Sequence, residues 1–150
     1  MMKDTEHNTP KLHHYRDCGL DNVWIAGGFE DIDSPYGPGV SIRDLDGLHR
    51  CIAHCLVKKP GPLTGREFRF LRTELDMSQS MMGLLCGREE RTVRHWETRD
   101  EVVEEPANTI IRFVYEQRFK PTANFEGLSK TMLFVNPCLV ETIRLLLAIL

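Results

Sequence analysis

Within residues 79–99, QSMMGLLCGREERTVRHWETR, six hydrogen-bonding side chains are candidates for contact with a partner: Gln79, Glu90, Arg91, Thr92, Arg94 and His95. Arg91 and His95 are four apart, so a helix places them on one face. An arginine there can make paired hydrogen bonds to a guanine edge in the major groove, and an imidazole one turn on can reach the neighbouring base or a phosphate. Glu90 can accept from a cytosine amine or repel phosphate to sharpen register. Gln79, at a helix opening, has its amide placed for a phosphate contact, and Arg94 suits a phosphate or solvent. Thr92 is counted with them. The chemistry these types imply is recognition of duplex DNA, and a surface helix with mixed charges is the plain alternative.

Two other clusters invite chemistry. His49, Cys51, His54 and Cys55 have spacings found among metal ligands, but a tetrahedral site needs four donors at one point and these spread round a helix. Buried thiols are common in protein cores, so packing is the expected role and no metal is assigned. Cys18 with His13 or His14, and Asp17 or Asp21, is the one set with a nucleophile, a base and an orienting acid. With no phosphate loop or nucleotide signature in the chain, no catalytic residue is assigned and the chain is not expected to be an enzyme.

The elements that must position the first set can be read locally. Ser78 is a helix cap for a segment opening at Gln79. Met81, Met82 and Leu85 recur at helical spacing and predict a buried stripe. Gly83 allows a second helix to cross at close range, and Gly87 suits the left-handed conformation that ends a helix. A second helix, about 89–98, is predicted to bury Val93 and Trp96.

Gly83, Gly87, Met82, Cys86, Val93 and Trp96 fall where the phage-repressor-like helix-turn-helix of Xre-type regulators has them. The wider run PGPLTGREFRFLRTELDMSQSMMGLLCGREERTVRHWE at 60–97 resembles the DNA-binding half of MqsA-like and HigA-like antitoxins. YRDCGLDNVWI at 15–25 and SIRDLDGLHR at 41–50 are similar to the leader of regulators in that group. The resemblance implies a mainly α fold: a lambda-repressor-like helix-turn-helix bundle preceded by a small β-rich leader and one helix. It also implies a homodimer on a palindromic double-stranded operator, a cognate toxin as a further partner, and an ion pair between Arg72 and Glu97 clamping two helices. Relatives can carry a Cys-rich zinc domain at the N-terminus, but the turn-rich stretch to Val40 has only Cys18 and no CxxC pair, so no zinc or other cofactor is expected. Two residues depart from the pattern: Arg88 replaces an aliphatic residue and Glu89 replaces a Ser or Thr cap.

Along the chain, residues 1–11 lack periodicity and are predicted to be disordered. Residues 12–58 form the leader: turn-rich text to Val40, including SPYGPG at 34–39, predicts a two- or three-stranded sheet. A helix over 44–57 then presents Leu45, Leu48, Ile52, Cys55 and Leu56. The helix-turn-helix unit takes 62–120, opening with Thr64 and Glu67 as a capping box and with Phe68, Leu71 and Leu75 inward. Pro106 suits the first turn of a helix over 107–117 presenting Ile110, Ile111, Val114 and Phe113. Residues 125–134 and the apolar VETIRLLLAIL at 140–150 predict a helical dimerisation segment over 121–150.

Composition bounds the partners. The formal net charge of −3 is awkward for a protein that neutralises phosphate, but Arg66, Arg69, Arg72, Arg88, Arg91, Arg94 and Arg99 concentrate basic charge in one region. The acidic Asp100, Glu101, Glu104 and Glu105 follow it. Five scattered cysteines do not resemble a disulfide framework. No apolar run is long enough for a membrane span and the first ten residues are polar, so a cytoplasmic location without membrane contact is expected. A protein-interaction module that uses the helix-turn-helix fold without reading bases is the competing function.

Overall fold

In a computed structural model of the 150-residue chain, residues 11–120 and Phe134–Val135 are described. They form five helices and two small sheets. The leader begins with β1 (His13–His14), paired antiparallel to β2 (Trp24–Ile25). The other edge of β2 takes β5 (Phe134–Val135), with Trp24 opposite Val135 and Ile25 opposite Phe134. Phe134 is therefore in a strand, not at the end of the expected 125–134 helix, because β2 offers it an open edge to pair with. The remainder of the expected C-terminal helical segment lies outside the described residues, as do residues 1–10 of the expected disordered tail. Lys11 is placed, with its ammonium on Asp31.

A separate hairpin follows: β3 (Phe29–Ser34) and β4 (Gly37–Ile42), in register from Phe29 opposite Ile42 to Ser34 opposite Gly37. The SPYGPG run is thus only partly a turn. Pro35 and Tyr36 make the reversal, while Gly37 starts a strand with φ +111°. Phe29 and Ile42 at the hairpin's base pack against the core, and the tip stands in solvent with Tyr36 fully exposed.

α1 (Leu45–Lys58) opens where the Asp44 carboxylate accepts from the Gly47 amide at 2.9 Å. It buries Leu48, Cys51, Ile52 and Leu56 against Tyr15, Leu20, Val23 and Ile25 of the leader. Leu45, in its first turn, faces solvent instead. Four helices complete the chain: α2 (Gly65–Glu74), α3 (Gln79–Cys86), α4 (Glu90–Arg99) and α5 (Ala107–Arg118). The Thr64–Glu67 capping box is present, and Phe68, Leu71 and Leu75 are fully buried as the spacing predicts. In α5, Ile111 is buried, Ile110 and Val114 are partly so, and Phe113 points outward because α5 packs on α1, α2 and α3 through its other side.

Leader and helical unit share one continuous core, and the Lys-Lys-Pro-Gly-Pro stretch between them is held down. Arg112 of α5 donates to the carbonyls of Val57, Lys59 and Gly61 at 3.0, 2.7 and 2.6 Å. The Leu63 amide donates to Asn108 Oδ1 at 3.0 Å. A second tie joins leader to helices: the Tyr15 hydroxyl and Glu74 carboxylate each lie 2.9 Å from a nitrogen of the His49 ring, which meets Phe70 edge-on.

Candidate nucleic-acid interface

The geometry of α3 and α4 follows from their caps. Ser78 accepts from the Met81 amide at 3.0 Å to start α3, and Gly87 at φ +65° ends it, with the Arg88 amide returning to the Gly83 carbonyl at 2.8 Å. Gly83 is where the turn crosses: a Cβ there would sit 2.7 Å from the Arg88 carbonyl oxygen, well inside van der Waals contact. As the two helices sit, a side chain at that position would force the Arg88 carbonyl to move. α4 begins without a side-chain cap at Glu89, in keeping with its departure from the pattern.

The predicted α3 stripe is only partly buried. Met82 and Cys86 face inward, whereas Met81 and Leu85 are 54% and 45% exposed and Leu84 is 83% exposed. The reason is that α3 buries its Met82–Gly83–Cys86 side and, among the described elements, packs chiefly on α4 and α5.

α4 is fixed from behind. Val93 and Trp96 are buried, and the Trp96 ring meets Phe68 edge-on at 5.8 Å. Glu97, also buried, takes Arg72 Nε at 2.6 Å and Nη2 at 3.0 Å, the expected clamp, and Arg72 Nη1 donates to the Met77 carbonyl at 2.7 Å. Gln79 joins this cluster: its Nε2 donates to Glu97 at 2.8 Å and its Oε1 accepts from Arg94 Nε at 3.4 Å. The Gln79 side chain thus holds α3 onto α4. Gly65 was not singled out in the sequence, yet a Cβ there would lie 1.8 Å from the Trp96 carbonyl oxygen. A glycine at the first residue of a capped helix is the only hint the sequence offers.

The outer face carries the remaining candidates. The Arg91 side chain is 87% exposed and lies 3.4 Å from Glu89; that of His95 is 46% exposed, with Nε2 3.3 Å from Glu101. Arg94 pairs with Glu90 one turn earlier, and Thr92 is half-buried. Arg88 lies 3.5 Å from Glu104. Each of these basic side chains has a carboxylate beside it.

The other clusters do not assemble. The His49 ring is occupied by Tyr15 and Glu74, and burial pushes the thiols of Cys51 and Cys55 up, Cys55 to about 11, which disfavours the thiolate a metal or a nucleophilic reaction needs. Among the described residues no three His, Cys, Asp or Glu side chains converge to hold a metal ion. Cys18 points its sulfur to the Tyr15 carbonyl, and burial raises its pKa. His14 stacks on Trp24 at 4.2 Å and His13 leans on Phe29, so the imidazoles are engaged elsewhere. Among the described residues no helix is long and apolar enough to cross a membrane. No protein-family model matches the chain, and neither a curated protein nor a solved structure matches it.

Proposed function

We propose that the chain is a sequence-specific double-stranded DNA-binding regulator of the Xre type, a cytoplasmic repressor in which α2 to α5 form a lambda-repressor-like unit and α4 enters the major groove. One observation carries the reading: α4 is fixed on its inner side by Val93, Trp96 and the Arg72–Glu97 clamp while Arg91 and His95, one turn apart, face solvent. A helix that reads bases needs both a rigid back and an unobstructed front. In this reading Arg91 takes a guanine edge, His95 the next base, and Glu90 and Thr92 adjust register. Arg94 and the amide of Gln79 meet phosphates. Two copies read the half-sites of a palindromic operator, and the chain serves as the antitoxin of a type II pair, with a small toxin as its other partner.

A second reading, an interaction module without base readout, draws on the carboxylates beside Arg91, Arg94 and His95, since these weaken attraction to phosphate. Binding of the full chain to the DNA upstream of its own gene separates the two. Arg91→Ala should lower affinity for the specific duplex by about 10- to 100-fold, as expected for one paired base contact worth roughly 1–3 kcal/mol, and leave binding to random duplex unchanged. Equal binding of wild type and variant to every duplex refutes base reading and supports the second.

A further inference from the structure

α3 is the one described helix without a charged residue: its eight positions read QSMMGLLC. Surface helices ordinarily alternate an apolar stripe with a polar face, and a helix apolar on more than one side is packed on more than one side. One side of α3 is accounted for by Met82, Gly83 and Cys86 against α4 and α5. The other presents Met81, Leu84 and Leu85, spaced i, i+3 and i+4, as a continuous exposed ridge. This spacing is how a helix offers anchors to a helical partner.

The same chain carries a second apolar stretch in need of a surface. Residues 140–150, VETIRLLLAIL, hold Glu141 and Arg144 as their only charges, and Ile143, Leu146, Leu147 and Leu150 repeat at the spacing that matches a helix ridge. The chain reaches it from β5, which is paired to β2 in the leader. The leader strands are tied to α1 and α2, with Tyr15 on His49 and His49 on Glu74, whereas α3 packs chiefly on α4 and α5. Only residues 136–139 intervene before the apolar run, which at about 3.3 Å per residue is a short tether.

We infer that the Met81–Leu84–Leu85 ridge of α3 is the seat for residues 140–150 of a second copy of this chain. Exchanged twice about a two-fold axis, the contact covers both apolar surfaces of each protomer and fixes the separation of the two α4 helices. This rests on the dimer of the proposed function and names the surface that makes it.

The test uses the full-length chain without DNA, so its outcome does not depend on whether α4 reads bases. With Leu84→p-benzoylphenylalanine, irradiation should yield an adduct of dimer mass whose cross-linked peptide maps to residues 140–150. An adduct within one chain, an adduct to any other segment, or none at all overturns the inference. Leu84→Asp, with helical circular dichroism unchanged, should shift the sedimenting species from dimer to monomer, and a variant that stays dimeric also overturns it. If the adduct forms as expected while Arg91→Ala has no effect on DNA binding, the dimer stands and the base-reading proposal alone falls.

Discussion

Replacing Arg72 by methionine tests how α4 is held. Methionine keeps an unbranched apolar stem like that of arginine but removes the two hydrogen bonds to Glu97, at 2.6 and 3.0 Å, and the one to the Met77 carbonyl at 2.7 Å. The Arg72 and Glu97 side chains are 11% and 2% exposed, so the carboxylate would be left in the interior with only the Gln79 amide for company. Breaking a buried pair from one side costs about 3–5 kcal/mol, chiefly from the stranded charge. That is a large share of the roughly 5–15 kcal/mol that stabilises a typical domain. In equilibrium urea unfolding, the midpoint should fall steeply for Arg72→Met. The companion double variant, Arg72→Met with Glu97→Leu, removes the charge as well as its partner and should recover much of the loss, since a well-packed apolar pair can match a buried ion pair. A loss below about 1 kcal/mol for the single variant, or a double variant less stable than the single, refutes the argument that the clamp's value lies in satisfying Glu97; the lower figure is what an exposed pair contributes.

Two further outcomes follow from particular contacts. Glu101→Gln frees His95 from the carboxylate 3.3 Å away and removes one negative charge from the outer face, so affinity for duplex at low salt should rise by up to about 5-fold, the ceiling set by an exposed pair worth about 1 kcal/mol; fluorescence anisotropy at two salt concentrations reads it, and unchanged or weaker binding counts against α4 as the DNA-facing helix. At high pH, burial pushes Tyr15 and Tyr115 up to about 12 and Cys55 to about 11. These acids hold their protons more tightly folded than unfolded, so their contribution is full below the unfolded values near 9 to 10 and is lost as pH rises through 11 to 12. Urea midpoints should therefore decline across that window, and Tyr115→Phe should make the decline shallower; a midpoint flat from pH 9 to 12 would show these groups to be solvated.

What could be read from the sequence was whatever the backbone itself demanded. Gly87 suits a chain that turns there at φ +65°, Thr64 and Glu67 announce a helix start by reciprocal bonds three residues apart, and Phe68, Leu71 and Leu75 have a single inward face to share. α3 was misread because periodicity needs contrast: with apolar residues at 81, 82, 84, 85 and 86, no phase of a 3.6-residue repeat stands out, and burial was decided by where α4 and α5 lie. Contacts between distant residues left no local trace. The Tyr15–His49 pair spans 34 positions, Arg112 reaches back more than 50 to the linker, and β2 takes its second partner from residue 134 onward.

The candidate site was legible as a set of residues but not as an electrostatic arrangement. A count of arginines suggested a basic face followed by a separate acidic run, yet folding lays the carboxylates among the cations: Glu89 by Arg91, Glu90 by Arg94, Glu101 by His95 and Glu104 by Arg88. For a DNA reader this alters the source of discrimination. Attraction to phosphate is the same for every sequence, and on this face each gain of that kind is offset by a neighbouring carboxylate that phosphate repels. Paired bonds to base edges gain nothing on the wrong sequence. Such a face therefore gives up general affinity while retaining selectivity, and a dimer that engages two half-sites at once is the means by which a weak single contact becomes occupancy of an operator.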